Sequence, residues 1–260
     1  MVNKFLVSSR LRLFLVLISC VLSVNMILAV PSGSQITGLT NSSAATIAPD
    51  WDNAIAGNVS ELTLYGDSVT QSWQGYFGNV TGAIRLADGS GNVMYNWSLT
   101  NPSGEIYSSF NDSIIWTNIQ CFNYTAAGTF ADDSGQAGAT SRFGMNLTQL
   151  EGLFNITSTD VDGVDETFSL NSHVAFYTNS KQFSAGECNN SKIFTQNGTG
   201  YFDEVLLYSP DTQVVVFTSI LKSDALGFDG AKHDFEMLVL EDGRDGNSAL
   251  TPYYFYLELQ

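Results

Sequence analysis

The sequence predicts an all-β protein, an antiparallel β-sandwich or elaborated jelly roll with one short helix and an N-terminal signal or transmembrane helix. Three observations lead there. Runs of β-branched and aromatic residues recur at intervals of about ten residues, separated by clusters of Gly, Asp, Asn and Ser. Tyr201 to Leu221 holds two almost continuously apolar runs, FDEVLLY and QVVVFTSIL, joined by Ser209, Pro210, Asp211 and Thr212, which places a hairpin near the centre of the fold. Only Met145 to Phe154 has helical spacing, through Met145, Leu147, Leu150, Leu153 and Phe154 with Asn146 as a cap. That is too short to cover one face of an α/β sheet.

The first thirty residues stand apart from the fold. Lys4, Arg10 and Arg12 precede an apolar run from Leu13 to Val30, the pattern of a secretion signal, with cleavage expected after Ala29. The run is also about as long as a minimal membrane span, so an uncleaved signal-anchor is the competing reading. Leu17, Ile18, Ser19 and Cys20 resemble a lipoprotein box, but the apolar run continues past Cys20 where such a box should end it. The expected organisation is therefore a signal peptide or signal-anchor over 1–30, a flexible arm or stalk over 31–56 and one extracellular β domain over 57–260.

Within the arm, Ile36, Leu39, Ile47 and Ile55 are scattered among Gly, Ser, Thr and Asn, as in a flexible stalk or a strand lacking a partner. Leu62 to Ser109 reads as an antiparallel meander. Its clearest hairpin is Ala83 to Leu99, where Val80, Gly82, Ile84 and Leu86 alternate before a turn at Asp88 to Asn92, and Val93, Tyr95 and Trp97 resume the alternation. Ile115, Thr117 and Ile119 lead to Cys121, and Thr125 to Arg142 reads as a glycine- and aspartate-rich loop. An acidic loop, STDVDGVDET, precedes β segments at Phe168–Leu170 and Val174–Tyr177. Phe235 to Leu240 and Tyr253 to Leu259 supply the final strands.

The formal net charge is −16, and the chain beyond the first thirty residues keeps all 26 acidic residues but 7 of the 10 basic ones, giving −19. Such a surface repels nucleic acid and anionic lipid. Ten Asn-x-Ser/Thr sequons, at Asn41, Asn58, Asn79, Asn96, Asn111, Asn123, Asn146, Asn155, Asn189 and Asn197, point with the signal segment to an exported glycoprotein. Cys121 and Cys188 are the two cysteines left after the signal, expected as one disulfide in an oxidising compartment.

No phosphate loop, zinc signature or haem motif is present, and no cofactor is implied. Asp160, Asp162 and Asp165, with Glu166, form the one stretch suited to Ca²⁺, although the spacing lacks a full Ca²⁺-loop pattern. Asp242, Asp245 and Asn247 are a weaker set. Leu64 to Thr70, LYGDSVT, is similar to the first block of the Gly-Asp-Ser (SGNH) hydrolases, which would make Ser68 the nucleophile and His233 its base. The likeness thins at Asp229, four residues before His233 where that family has three, and no Gly-x-Asn-Asp block follows. Gly66, Asp67 and Ser68 read instead as a turn between strands. His173 and His233 are the two histidines, each expected at the surface or satisfied in the core.

WQGYFGNVTG from Trp73 to Gly82, MYNW from Met94 to Trp97, GEIYS from Gly104 to Ser108, and the closing FEMLVLEDG and TPYYFYLEL resemble a family of secreted archaeal proteins, over about residues 57–260. The resemblance implies an extracellular β-rich domain and glycosylation and brings no activity. The expected function is a noncatalytic cell-surface glycoprotein, structural or adhesive, in its extreme form a pilus or coat subunit whose arm adds as a strand to the next copy. A glycan- or surface-binding module is the alternative. Partners are then further copies or other surface proteins and glycans, with the membrane reached only through an uncleaved N-terminal segment.

Overall fold

The computed structural model describes residues 30–45, 47–125 and 145–260. The signal segment and nearly all of the loop expected at Thr125 to Arg142 lie outside these. In chain order the strands are β1 (Ser32–Gly33), β2 (Trp73–Gly78), β3 (Ala83–Ala87), β4 (Val93–Ser98), β5 (Gly104–Ser109) and β6 (Gln120–Cys121). Two short helices follow, α1 (Leu147–Leu153) and α2 (Val164–Thr167), and then β7 (Phe176–Thr178), β8 (Lys181–Phe183), β9 (Asn190–Phe194), β10 (Gly200–Ser209) and β11 (Val214–Ile220). The chain closes with β12 (Ala225–Leu226), β13 (Lys232–His233), β14 (Phe235–Leu240) and β15 (Tyr254–Leu259). The fold is all-β, as the sequence predicts.

Its centre is an antiparallel sheet in the order β1-β15-β5-β11-β10-β6, with β9 beside the first half of β10. β10 and β11 are the predicted hairpin, paired from Glu204↔Ser219 to Ser209↔Val214. Their near-continuous apolar character is explained by cover on both faces. Leu206, Tyr208, Val215 and Phe217 face a core completed by α1, Phe168 and the β2–β14 pair. Val205, Leu207, Val216 and Tyr107 face the other way, onto Ile119, Cys188 and the β7–β8 hairpin through Phe176 and Phe183. The helix at 147–153 forms where expected. Asn146 caps it, its side chain accepting from the Gln149 amide while Gln149 reaches back to the Asn146 amide.

The meander is corrected. β3 and β4 pair with each other around Asp88, which accepts from the amides of Ser90 and Asn92, but β2 pairs with β14, and β5 lies between β11 and β15. Apolar alternation marks a strand without naming its partner, and here the partners come from the far end of the chain. Leu62 to Tyr65 forms no strand. The alternation expected over Ser113 to Phe122 likewise yields only the two residues of β6, and part of the acidic loop coils into α2.

The arm joins the sheet at its start. Ser32 and Gly33 pair with Leu257 and Tyr256 at the sheet edge, and the Ser34 amide donates to the Phe255 carbonyl. Beyond them the described residues form no strand before Trp73 and leave Ile36, Leu39, Ile47, Trp51, Ile55, Val59, Leu62, Leu64, Tyr65 and Val69 exposed. Among the described residues no helix is long and apolar enough to cross a membrane.

Cys121 and Cys188 are bonded, with Cα atoms 5.1 Å apart and a separation of 67 in sequence. The bond ties β6 to the start of β9, the two short strands sharing one edge of β10. On the chain-entropy account, closing a loop of this length stabilises by about 4 kcal/mol. Replacing both cysteines by serine should lower the unfolding free energy in urea by roughly that amount with the circular dichroism of the sheet retained; a change below about 1 kcal/mol would mean the loop is already restrained without it.

Candidate functional site

The acidic loop that the sequence marks for Ca²⁺ folds around one arginine. Arg244 Nη1 donates to Asp160 Oδ2 at 2.7 Å and to the Asn155 carbonyl, and Nη2 donates to Ser72 Oγ at 2.7 Å with Asp162 Oδ1 3.6 Å away. Asp162 also accepts from Thr70 Oγ1 at 2.6 Å, and its carbonyl takes the Trp73 indole N–H at 2.6 Å. The Thr157 amide and the Arg244 guanidinium hold the Asp160 carboxyl below its ordinary range. Asp160 and Asp162 are thus occupied by the protein's own cation. They stitch the acidic loop to the residues leading into β2 and to the turn after β14.

Asp165 belongs to a different group. Its carboxylate, with those of Glu151 and Glu166, places one oxygen from each within 4.8 Å of the others, the one such set among the described residues. Glu151 reaches it from α1, and its Oε1 accepts the Val164 amide at 3.1 Å. A side chain at Gly163 would have its first carbon 2.4 Å from Glu166 Oε2 and 3.1 Å from Glu151 Oε1, so glycine keeps the space between these acids open. Burial raises the Glu151 carboxyl and neighbouring acids raise it further, while a hydrogen bond with Asp165 raises Glu166. Crowded carboxylates of this kind suit a hard cation by donor chemistry. Of the four acids that the sequence marks for Ca²⁺, Asp165 and Glu166 belong to this group, and Asp160 and Asp162 do not.

The hydrolase pair is not assembled by any contact. Ser68 lies in the exposed chain before β2, its Oγ directed at the Val69 carbonyl. His233 is buried at the end of β13, its Nε2 2.9 Å from Asp229 Oδ1 and its ring against Phe77 and Phe228. His173 is a satisfied core histidine, with Nδ1 on the Val174 carbonyl and Nε2 accepting the Cys188 amide. Asp242 and Asn247 bond each other across the turn after β14.

Sequence reasoning passed over Arg244 and a set of buried acids. Glu105, Glu204, Glu236 and Glu258 are all nearly inaccessible within strands. Their signal was present, since each interrupts an apolar run: GEIYS, FDEVLLY, FEMLVL and YFYLEL. No protein-family model, curated protein or solved structure matches this chain.

The sequons are mostly open. Asn41, Asn58, Asn79, Asn96, Asn123, Asn155 and Asn197 are exposed, whereas Asn111, Asn146 and Asn189 are half-buried. Asn189 additionally donates its amide N–H to the Phe168 carbonyl at 3.3 Å.

Arg244→Ala should loosen the acidic loop. The expected result is faster proteolysis between Asn155 and Val164 and a lower thermal midpoint. Arg244→Lys should recover only part of this, because a lysine ammonium cannot bridge Ser72, Asp160 and the Asn155 carbonyl in one plane. Equal behaviour of wild type and alanine variant would remove Arg244 from its organising role.

Proposed function

We propose that the protein is a noncatalytic, exported cell-surface glycoprotein, structural or adhesive, that assembles through its N-terminal arm. One observation carries the reading. The outer edge of β15 accepts the arm as a strand, but through only two residue pairs. The described residues that follow, as far as Val69, form no strand and leave their scattered apolar side chains exposed. Strand addition of this kind gives main-chain affinity together with side-chain selectivity, and the same edge on a neighbouring copy presents the same acceptor. The signal-like first thirty residues, the exposed sequons and the disulfide agree with passage through an oxidising compartment. So does the resemblance to secreted archaeal proteins.

A second reading, a glycan- or surface-binding module, is favoured by the β3–β4 hairpin. The register Ile84↔Trp97 and Leu86↔Tyr95 puts these four side chains on one face, with the Tyr95 and Trp97 rings 4.9 Å apart, and each is about half exposed. Arg85 and the sequon residue Asn96 share the opposite face. Sugar on Asn96 would leave the apolar face clear.

Deleting residues 31–56 should abolish higher-order assembly of the secreted protein, seen by light scattering and negative-stain microscopy, while the β domain keeps its circular dichroism. Assembly that survives the deletion, or a monomer in the intact protein, would transfer the weight to the binding module. Glycopeptide mapping of protein from its native host should find Asn41, Asn58 and Asn197 modified and Asn189 bare. Full occupancy at Asn189 would mean that sugar is added before its bond to Phe168 forms.

A further inference from the structure

Strands β5 and β15 place two glutamates directly opposite each other. Glu105 and Glu258 are register partners, 3 % and 0 % exposed. Gly104, in a left-handed conformation, lets β15 approach here, since a side chain at 104 would meet the Glu258 carbonyl oxygen at 2.0 Å. Two ionised carboxylates so placed would repel at close range in a medium that screens them poorly.

The surroundings offer little to neutralise them. From β5, Tyr107 donates its hydroxyl to Glu258 Oε2 at 2.8 Å, and from the β7–β8 turn the Asn179 amide donates to the same oxygen at 3.0 Å. Thr178 Oγ1 lies 3.2 Å from the Tyr107 hydroxyl, and the Tyr177 backbone amide faces Glu105. From the chain end, Gln260 Nε2 donates to Glu105 Oε2 at 3.1 Å, and on the β11 side Glu105 is opposite Ile220. Lys181, on the same hairpin as Thr178, sits over the Phe183 ring. Among the described residues neither glutamate forms an ion pair, and Glu258 Oε1 is buried without a hydrogen-bond partner. A proton held by the pair removes the repulsion between the two carboxylates.

We propose that the Glu105–Glu258 pair is a pH-sensitive latch on the sheet edge. Holding a proton, the pair docks β15 against β5, and β1 with it; fully ionised, it drives β15 off and frees the arm. Burial and the neighbouring Glu258 hold the Glu105 carboxyl up to about 8, and burial raises Glu258 as well. Because both are raised in the folded state, the latch is at full strength below the ordinary carboxyl range near pH 4.5 and is lost as pH rises through about 8. It works on β15 whatever the arm then pairs with, so it stands apart from the assembly reading above.

Hydrogen exchange on the full secreted chain tests it, corrected for intrinsic exchange rates and read as protection of β15 relative to β10. From pH 5 to pH 9 the wild-type ratio should fall by about tenfold or more. Glu105→Gln keeps the size and the Gln260 contact while removing the charge, and should hold the ratio nearly constant. Glu258→Gln is the second variant, expected to behave alike, and serves if the first does not fold. A wild-type ratio that does not change with pH, or one that falls equally in a folded glutamine variant, overturns the latch.

Discussion

Burial of the β10–β11 pair on both faces sets the terms for everything around it. A strand pair enclosed this way must find partners for each polar atom it carries, and the neighbouring elements are placed by those bonds as much as by apolar contact. Both oxygens of Glu204 take the Leu238 amide at 3.0 Å, and Ser219 Oγ donates to the Glu236 carbonyl at 2.8 Å. Together they fasten β14 across one face. On the other face Asp203 is held by Lys192 at 2.5 Å and Lys222 at 3.2 Å, linking β9 and the exit of β11.

The same enclosure gives the molecule a lean toward acid. Burial raises the carboxyls of Glu105, Glu204, Glu236 and Glu258 above their ordinary value. Each binds its proton more tightly folded than unfolded, so each adds stability in acid that fades as pH rises. The sequence isoelectric point near 4.1 points the same way, because the repulsion among surface acids is also least there.

The strands were legible because the buried pattern is local: Tyr201 to Leu221, Phe235 to Leu240 and the Asn146 cap all announce themselves within a few residues. Pairing was not. WQGYFG reads the same whether its neighbour is the next strand or β14, more than 150 positions away, and only the shared core distinguishes them. The acidic loop shows the converse. Its carboxylates were visible as a group, but their division depends on Arg244 from a distant segment and on Glu151 from the helix just before the loop. The buried glutamates were visible as interruptions of apolar runs, yet Glu105 and Glu258 become a pair only because Gly104 lets the last strand lie beside β5.

The arm has one more property that follows from its attachment. It meets the sheet at β15, the outermost long strand, and is fixed there by the Ser32 and Gly33 pairs and the bonds of Ser34. Tension applied to the chain ahead of Pro31 would therefore be carried first by this short seam, whose bonds open one after another as the arm peels back. The slack in the exposed stretch as far as Val69 would be taken up next. Only after that would load reach β2 and, through β14, the enclosed hairpin. A copy held by that end would yield at its edge while its core stayed folded, so the short seam would act as a mechanical fuse.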